Sequence, residues 1–268
     1  MNALHPIIAR TRADVAERRL DVPLAALERA AAARRASGDR RDFARALAEP
    51  GLSIIAEHKR RSPSAGVIRE DLALEDVVGA YERGGAAALS VLTEPHSFGG
   101  SLADLRAARA AASLPILRKD FVLDPYQVVE SAAAGADAIL LIVAALDPPR
   151  LRELHEQAHA LGLAALVEVH DERELEQAVA VRAPLIGINN RDLTTLVVDT
   201  RRTFELAPRL LDGTTVVAES GFSRPQELDE LAHAGVDAVL IGEALMRAPE
   251  IEAACRSLSA RSGTARVI

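Results

Sequence analysis

Residues 134–142 read AGADAILLI, a short stretch in which a helical pattern of small residues ends at a glycine and an apolar run begins. A glycine directly after a helical pattern favours the left-handed conformation that ends many helices. Gly85, Gly162 and Gly235 stand at the same kind of junction, each before a run with the composition of a strand. The similar stretch AGVDAVL (234–240) reflects a second junction of this kind and is only weak support for an internal repeat.

Short β-rich or apolar runs alternate with amphipathic stretches of about 10 to 14 residues along most of the chain. Eight such runs begin near Ser53 (SIIAEHK), Ala86 (AAALSVL), Pro115 (PILRK), Ala138 (AILLI), Ala164 (AALVEV), Leu185 (LIGIN), Thr215 (TVVAE) and Ala238 (AVLIG). Parallel strands joined by crossover helices produce this alternation, and eight evenly spaced units close into a barrel. The sequence therefore predicts an α/β fold, a single (β/α)8 TIM barrel.

The segment before the first strand, from about Ala3 to Leu47, is rich in Ala, Arg, Leu and Glu at helical spacing and predicts two or three helices. No linker rich in Gly, Ser or Pro divides the chain, so we expect one domain over residues 1–268. Within it, residues 1–50 are expected to form an N-terminal helical extension and residues 51–262 the barrel. Length alone would also permit two ordinary domains.

The composition is that of a globular protein, with 49% hydrophobic and 26% charged residues. The net charge of −7 includes no separate basic run, which argues against nucleic acid and anionic membranes as partners. The longest apolar run, Ala138 to Leu146, is too short to cross a bilayer, and the first residues carry charges too early for a secretory signal. With Cys255 as the only cysteine, these features predict a cytoplasmic protein.

Polar and charged residues stand at the carboxyl ends of five predicted strands. They are Glu57 and Lys59, Lys119, Glu168, Asn189 with Arg191, and Glu219 with Ser220. In a barrel these strand ends converge on one pocket, which holds the catalytic groups. Glu57 and Lys59, two residues apart, point to the same side of their strand. One such residue alone most often marks only the point where a strand reaches solvent. The recurrence of polar residues at five strand ends predicts an active site.

Glycines follow the last two predicted strands, Gly221 after the seventh and Gly242 after the eighth. At these positions backbone N–H groups can approach a phosphate, because this is the usual anion site of the architecture. Lys59, Ser62 and Ser64 in the segment KRRSPSAG are further candidate donors. A glycine after a strand is by itself more often a turn residue, but the two together predict a phosphate-bearing ligand.

Six motifs follow one another between Ser53 and Met246: IIAEHKRRSPSAG, LSVLTEPHSFGGS, LRKDF, LVEVH, GINNRDL and AESGF. Together they resemble the indole-3-glycerol phosphate synthase family and cover nearly the whole barrel. The resemblance implies a monofunctional enzyme of tryptophan biosynthesis that needs no metal and no cofactor, with the N-terminal extension packed over the barrel mouth. It also implies a small-molecule sugar-phosphate substrate and a monomer, with a homodimer left open.

The resemblance further implies the functional residues. Catalysis is assigned to Glu57, Lys59, Lys119, Glu168, Asn189, Glu219 and Ser220. Phosphate contacts are assigned to Lys59, Ser62, Gly221, Gly242 and the N–H group of Glu243. The pocket for the aromatic ring is assigned to Phe98, Phe121, Leu140 and Leu193, and a further substrate contact to Arg191.

Two positions depart from the family pattern. His58 replaces a residue that is commonly aliphatic or aromatic in the family, and we expect it to face the helix layer. Glu243 stands where several relatives have serine, so a phosphate contact there must come from the backbone while the carboxylate turns away.

The implied substrate is 1-(2-carboxyphenylamino)-1-deoxyribulose 5-phosphate, and the implied products are indole-3-glycerol phosphate, carbon dioxide and water. Ring closure needs a proton for the ketone oxygen, and Lys119 is the candidate donor. Lys59 is the candidate donor to the leaving hydroxyl group and Glu57 the candidate base, with the order of the two lysines left open. Glu168 and Glu219 are expected to keep the lysines charged. Asn189 is expected to hydrogen-bond the substrate.

Four other interpretations are weaker. An isomerase acting one step earlier uses a cysteine early in its barrel, whereas Cys255 follows the last predicted strand. A retro-aldol subunit acting one step later lacks the paired lysines and requires a partner subunit. A non-catalytic phospho-ligand-binding barrel would bind the substrate without forming product. A metal site at His155 and His159, four residues apart on a predicted helix, has no evident third ligand.

Overall fold

The computed structural model describes residues 4–260, in which eight parallel strands form a closed barrel. We number the barrel strands along the chain: β1 Ser53–His58, β2 Ala88–Leu92, β3 Ile116–Lys119, β4 Ala138–Ile142, β5 Ala164–Val169, β6 Leu185–Asn189, β7 Thr215–Glu219 and β8 Ala238–Ile241. Each strand pairs with the next, and β8 closes the barrel on β1 with Ser53 beside Ala238. The predicted (β/α)8 TIM barrel is confirmed.

The α-helices of residues 4–260 are numbered in the same way. They are α1 Leu4–Asp21, α2 Leu24–Ala36, α3 Phe43–Leu47, α4 Leu74–Arg83, α5 Leu102–Ala111, α6 Pro125–Ala134, α7 Pro148–Ala160, α8 Glu172–Ala180, α9 Arg201–Leu206, α10 Pro225–His233, α11 Glu243–Arg247 and α12 Ile251–Ser259. In the loop after β1, Arg61–Ser62 pairs antiparallel with Gly66–Val67. Within the described range, no helix is both long enough and apolar enough to cross a membrane.

The strand starts differ from the sequence prediction at two places. β2 begins at Ala88 and not Ala86, because the N–H group of Ala86 donates to the carbonyl of Tyr81 and still belongs to the end of α4. β3 begins at Ile116, one residue after the predicted Pro115. The four glycines that precede strands all adopt the left-handed conformation, with φ of 85°, 105°, 75° and 81°. These junctions therefore end helices as the sequence indicated.

Apolar side chains fill the barrel and surround it in two separate clusters. Ile55, Leu117 and Val217 belong to the cluster inside the barrel. Ile54 and Leu141 belong to the larger cluster between strands and helices. Neighbouring residues such as Ile54 and Ile55 fall into different clusters because successive side chains of a strand point to opposite faces. Both faces are covered, which explains the nearly continuous apolar strands.

The N-terminal segment reaches both ends of the barrel. Leu4 and Ile7 of α1 line the cavity that lies at the carboxyl ends of the strands. Phe43 and Leu47 of α3 join the apolar cluster inside the barrel, and α3 contacts the start of β1 through Ser53. The predicted domain bounds of 1–268 run past the described residues at both ends, and the division near residue 50 stays a prediction.

Candidate active site

A cavity of about 650 Å³ opens at the carboxyl ends of the barrel strands. The residues predicted for the site all line it: Glu57, Lys59, Ser62, Phe98, Lys119, Phe121, Leu140, Glu168, Asn189, Arg191, Leu193, Glu219, Ser220, Gly221, Gly242 and Glu243. Ser64 lines it as well. The barrel thus brings together side chains from distant parts of the sequence, while the role of each residue stays a prediction.

Lys119, the last residue of β3, extends its ammonium group between two carboxylates in this cavity. Its Nζ lies 2.8 Å from Oε2 of Glu168 on β5 and 3.0 Å from Oε2 of Glu219 at the end of β7. Burial alone would lower the pKa of Lys119, but the charges of Glu168, Glu219 and Glu57 outweigh burial and raise it. The lysine therefore carries its proton at neutral pH.

The pKa values of the two carboxyl groups around Lys119 are shifted in opposite directions. Burial opposes the ionisation of Glu168, but the charges of Lys119 and His170 outweigh it and lower the pKa of this carboxyl group. Burial raises the pKa of Glu219, and the nearby charge of Glu168 adds to that effect despite Lys119. The pair thus favours one ionised and one protonated carboxyl group at neutral pH.

Glu57 and Lys59 form the second ion pair of the cavity. The Nζ of Lys59, one residue past the end of β1, lies 2.6 Å from Oε1 of Glu57. Glu57 also accepts a hydrogen bond at Oε2 from the Ser90 hydroxyl at 3.4 Å. Its backbone carbonyl accepts another from the hydroxyl of buried Tyr81 at 3.0 Å. These contacts hold a buried carboxylate next to a lysine on the same side of β1.

His58 lies between these two residues in sequence but not in the cavity lining. It is buried, and the charges outside β1 that act on its ring belong to Arg60, to Asp104 of α5 and to Glu75 of α4. Burial, followed by the charge of Arg60, lowers the pKa of His58 to about 4. The ring is therefore neutral at pH 7 and faces the helix layer.

The predicted phosphate end of the cavity contains the loops after β7 and β8. Ser220 and Gly221 both have positive φ, 65° and 95°, so the chain turns sharply at the end of β7. In the loop after β1, the hydroxyl group of Ser62 accepts a hydrogen bond from the N–H group of Ala65 at 3.2 Å. The carboxylate of Glu243 accepts from Nε of Arg247 at 2.9 Å and is thus engaged within α11.

Asn190 is a buried residue that the sequence analysis did not single out. Its Nδ2 donates to the backbone carbonyls of Glu219 and Ser220 at 3.1 and 3.0 Å. Its Oδ1 accepts from the N–H and hydroxyl groups of Thr203 at 3.1 and 2.9 Å. Asn190 therefore supports the left-handed conformation of Ser220, and the only sequence signal was the second asparagine of GINNRDL.

His170 and Glu174 stand behind Glu168 and were also missed. The Nε2 of His170 lies 3.4 Å from Oε1 of Glu168, and its Nδ1 lies 2.9 Å from Oε2 of Glu174 on α8. Burial alone would lower the pKa of His170, but the two carboxylates outweigh it and raise the pKa. The raised pKa favours the protonated form of the ring beside Glu168. The signal in the sequence was the final residue of LVEVH.

Arg118 precedes Lys119 on β3 and points to the other face of the strand. Its guanidinium forms salt bridges with Asp120 and Glu130, both at 3.0 Å. It also donates to the carbonyl of Gln127 at 3.2 Å and to the hydroxyl group of Ser131 at 3.0 Å. This arginine was not among the predicted site residues, although a charged residue inside the apolar run PILRK was a signal.

The two histidines considered as metal ligands, His155 and His159, lie on α7 and do not line the cavity. Among residues 4–260, no group of three or more His, Cys, Asp or Glu side chains is placed to hold a metal ion.

Fold and cavity together define the class of the protein, a (β/α)8 barrel whose titratable groups meet in a cavity at the carboxyl ends of the strands. A family model described as indole-3-glycerol phosphate synthase matches residues 4–258. The chain therefore belongs to the indole-3-glycerol phosphate synthase family, as its motifs predicted. This result favours that family over the isomerase and the retro-aldol subunit.

Curated relatives support the same assignment. An indole-3-glycerol phosphate synthase of Parafrankia sp. is 51% identical over 91% of this chain and 90% of its own length. Another from Nocardioides sp. is 49% identical over 97% of this chain and 98% of its own length. A third, from Burkholderia vietnamiensis, is 48% identical over 94% of this chain and 96% of its own length.

Solved structures with low sequence identity share the fold. Thiamine phosphate pyrophosphorylase from Pyrococcus furiosus superimposes with a TM-score of 0.58 at 18% identity, covering 77% of this chain and 93% of its own. N-acetylmannosamine-6-phosphate 2-epimerase from Clostridium perfringens gives a TM-score of 0.59 at 17% identity, with coverage of 74% and 89%. At these identities the likeness shows the barrel fold alone.

Proposed function

We propose that this chain catalyses the ring closure, decarboxylation and dehydration of 1-(2-carboxyphenylamino)-1-deoxyribulose 5-phosphate to indole-3-glycerol phosphate, a carboxy-lyase reaction. The family match and the names of the relatives support this activity. The observation that carries it is the ammonium group of Lys119, held between two carboxylates inside the cavity. The proposal includes a cytoplasmic location, for which the single cysteine is the support.

The substrate binds with its phosphate group at the loops after β7 and β8, near Ser62 and Lys59. Its aromatic ring lies among the apolar lining residues Phe98, Phe121, Leu140 and Leu193. A ligand held at both ends places its ketone group near the two lysines, which also line the cavity. Fixing the reacting carbons in this way lowers the entropic part of the barrier.

In the first step the aromatic carbon that bears the carboxylate attacks the ketone carbon. The carbonyl electron pair moves to oxygen, which takes a proton from Nζ of Lys119 and becomes a hydroxyl group. The raised pKa of Lys119 ensures that this proton is present when the substrate arrives. Positive charge develops on the substrate nitrogen, and the ionised carboxylate of Glu168 stabilises it.

Decarboxylation and dehydration follow. The bond to the carboxylate breaks, carbon dioxide leaves, and the electron pair returns to the ring and restores its aromaticity. The hydroxyl group then leaves as water with a proton from Lys59, while Glu57 removes a proton from the neighbouring carbon to complete the double bond. Because Nζ of Lys59 lies 2.6 Å from Oε1 of Glu57, the proton gained by Glu57 can return to Lys59.

Incubation of the full chain with this substrate in the presence of EDTA tests the proposal. We expect the absorbance of the indole ring to appear together with released carbon dioxide, at the same rate with and without the chelator. Binding of the substrate without product would support a non-catalytic barrel and contradict the proposal. A rate that falls on adding EDTA and returns with a metal would contradict metal independence.

A further inference from the structure

Gly187 occupies the middle of β6, where the sequence reads LIGIN. A glycine inside a strand weakens it, because it contributes no side chain to packing and loses much conformational freedom. The residue lies beside Glu168 of β5 and Val217 of β7 in the strand register. Its position between the two strands that supply Glu168 and Glu219 suggests a reason for the missing side chain.

The space that a side chain at Gly187 would fill is occupied by Glu219. A Cβ atom built on Gly187 would lie 2.2 Å from Oε1 of Glu219 and 3.3 Å from its Cδ. The other nearby atom, Cδ1 of Leu166 at 3.3 Å, is only a tight contact. Glu219 is 1% exposed, and within the described chain its Oε1 has no hydrogen-bond partner. One carboxylate oxygen therefore lies against Gly187 while the other binds Lys119.

We propose that Gly187 is a positioning residue, whose missing side chain creates the space that lets Glu219 reach Nζ of Lys119 from the neighbouring strand. Any larger residue would push the carboxylate out of this space and change its distance from the ammonium group, now 3.0 Å. The expected effect on turnover rests on the proposed function, whereas the steric relation between Gly187 and Glu219 does not.

The other ion pair of the cavity shows the same relation. A Cβ atom on Gly242 would lie 2.5 Å from Oε1 of Glu57, the oxygen that binds Lys59. Gly242 follows β8, which pairs with β1, just as β6 pairs with β7. In the first case the carboxylate lies against a glycine inside the adjacent strand, and in the second against a glycine directly after it. A glycine therefore makes room for one acid of each ion pair.

The first experiment measures the stability of Gly187→Ala in two backgrounds by urea unfolding. Gly187 does not have positive φ, so alanine brings no backbone strain, and alanine in place of glycine is otherwise stabilising. In the otherwise unaltered chain we expect Gly187→Ala to lower the unfolding midpoint. In the Glu219→Ala background, where the space is free, we expect the same substitution to leave the midpoint equal or raise it. A similar loss in both backgrounds, including failure of both to fold, would overturn the proposal.

The second experiment measures turnover and substrate binding. We expect Gly187→Ala to lower turnover by about 10- to 100-fold, as a misplaced catalytic group does, with substrate binding changed by less than about threefold. Adding Glu219→Asp, which withdraws the carboxylate by one methylene group, should recover part of the loss. If the turnover losses of Gly187→Ala and Glu219→Asp simply multiply in the double variant, the proposal is contradicted.

Gly79→Ala is the matched control for adding a methyl group. A Cβ atom there would approach only the end of the flexible Arg83 side chain, at 3.1 Å. We expect its turnover to equal that of the unaltered chain. If the unaltered chain forms no indole product, the proposed function fails while the stability experiment still decides the relation between Gly187 and Glu219.

Discussion

Arg118 and Lys119 are neighbours on β3, and each is a buried cation between two acidic side chains, yet they face opposite sides of the barrel wall. Arg118 lies on the helix side, between Asp120 and Glu130. Further donors of its guanidinium are taken up by hydroxyl and carbonyl oxygens. Lys119 lies between the carboxylates from β5 and β7 and borders a cavity of about 650 Å³. Only Lys119 can meet a ligand.

A buried cation with acidic neighbours therefore does not by itself indicate catalysis. What separates the two is access to space that a substrate can enter. β1 repeats the pattern, because His58 faces the helices while Glu57 and Lys59 line the cavity. Changes on the cavity face should therefore alter turnover, and changes on the helix face should alter stability.

The largest effect is expected for Lys119→Met. Removing the proposed proton donor should lower turnover by about 100- to 10,000-fold, the range for losing a general acid. Substrate binding should persist, because the proposed phosphate contacts lie elsewhere. Steady-state formation of the indole ring measures turnover, and calorimetric titration with substrate measures binding. Turnover close to that of the unaltered chain would remove Lys119 from the mechanism.

Arg118→Met should act on stability. It leaves the carboxylate of Asp120 buried without its cation, whereas Glu130 keeps Arg18 at 2.7 Å. Breaking a buried ion pair in this way costs about 3 to 5 kcal/mol. Urea unfolding gives the free energy, with Arg83→Met as a control because Arg83 forms an exposed pair with Glu252. An Arg118→Met variant as stable as this control would show that the helix-side network is unimportant.

Glu219→Gln should change how the stability of the chain depends on pH. The raised pKa of Glu219 means that the folded chain holds a proton which the unfolded chain releases above about pH 4.5, so stability falls as pH rises through the folded pKa. The slope from one such group reaches about 1.4 kcal/mol per pH unit. Glutamine removes this slope, so the variant should gain stability relative to the unaltered chain as pH rises. Parallel stability curves would contradict the raised pKa.

His58→Phe should have the smallest effect. Its neutral ring faces the helix layer, so turnover should change by less than about twofold, and stability by less than about 1.5 kcal/mol, as for swaps of similar volume. The lowered pKa of His58 means that stability is present above about pH 6.5 and is lost as pH falls toward 4. Phenylalanine should remove this acid sensitivity. A large loss of turnover would place His58 in the active site.

The sequence predicted the barrel and the location of the site because both depend on short-range patterns. Apolar runs at regular spacing determine the strands, and the carboxyl ends of parallel strands converge in this architecture. Glu57, Lys119 and Glu219 could therefore be grouped before any coordinates, although the roles assigned to them came from family resemblance. The left-handed glycines before strands were equally local features.

Contacts between strands could not be predicted in the same way. Alternation places Arg118 and Lys119 on opposite faces, but it does not say which face borders the cavity. Gly187 was not among the predicted site residues, because its proposed positioning role depends on a side chain that comes from β7 in the barrel register. His170 likewise gained meaning only when its distance to Glu168 was known. These relations involve residues far apart in sequence.

The most direct measurement is the single-turnover rate of indole formation by Arg118→Met and Lys119→Met, compared at a temperature where both are folded. We expect Arg118→Met to keep a rate within about tenfold of the unaltered chain, and Lys119→Met to be at least about 100-fold slower. Equal losses in the two variants would contradict the account, in which access to the cavity separates the proposed catalytic cation from the structural one.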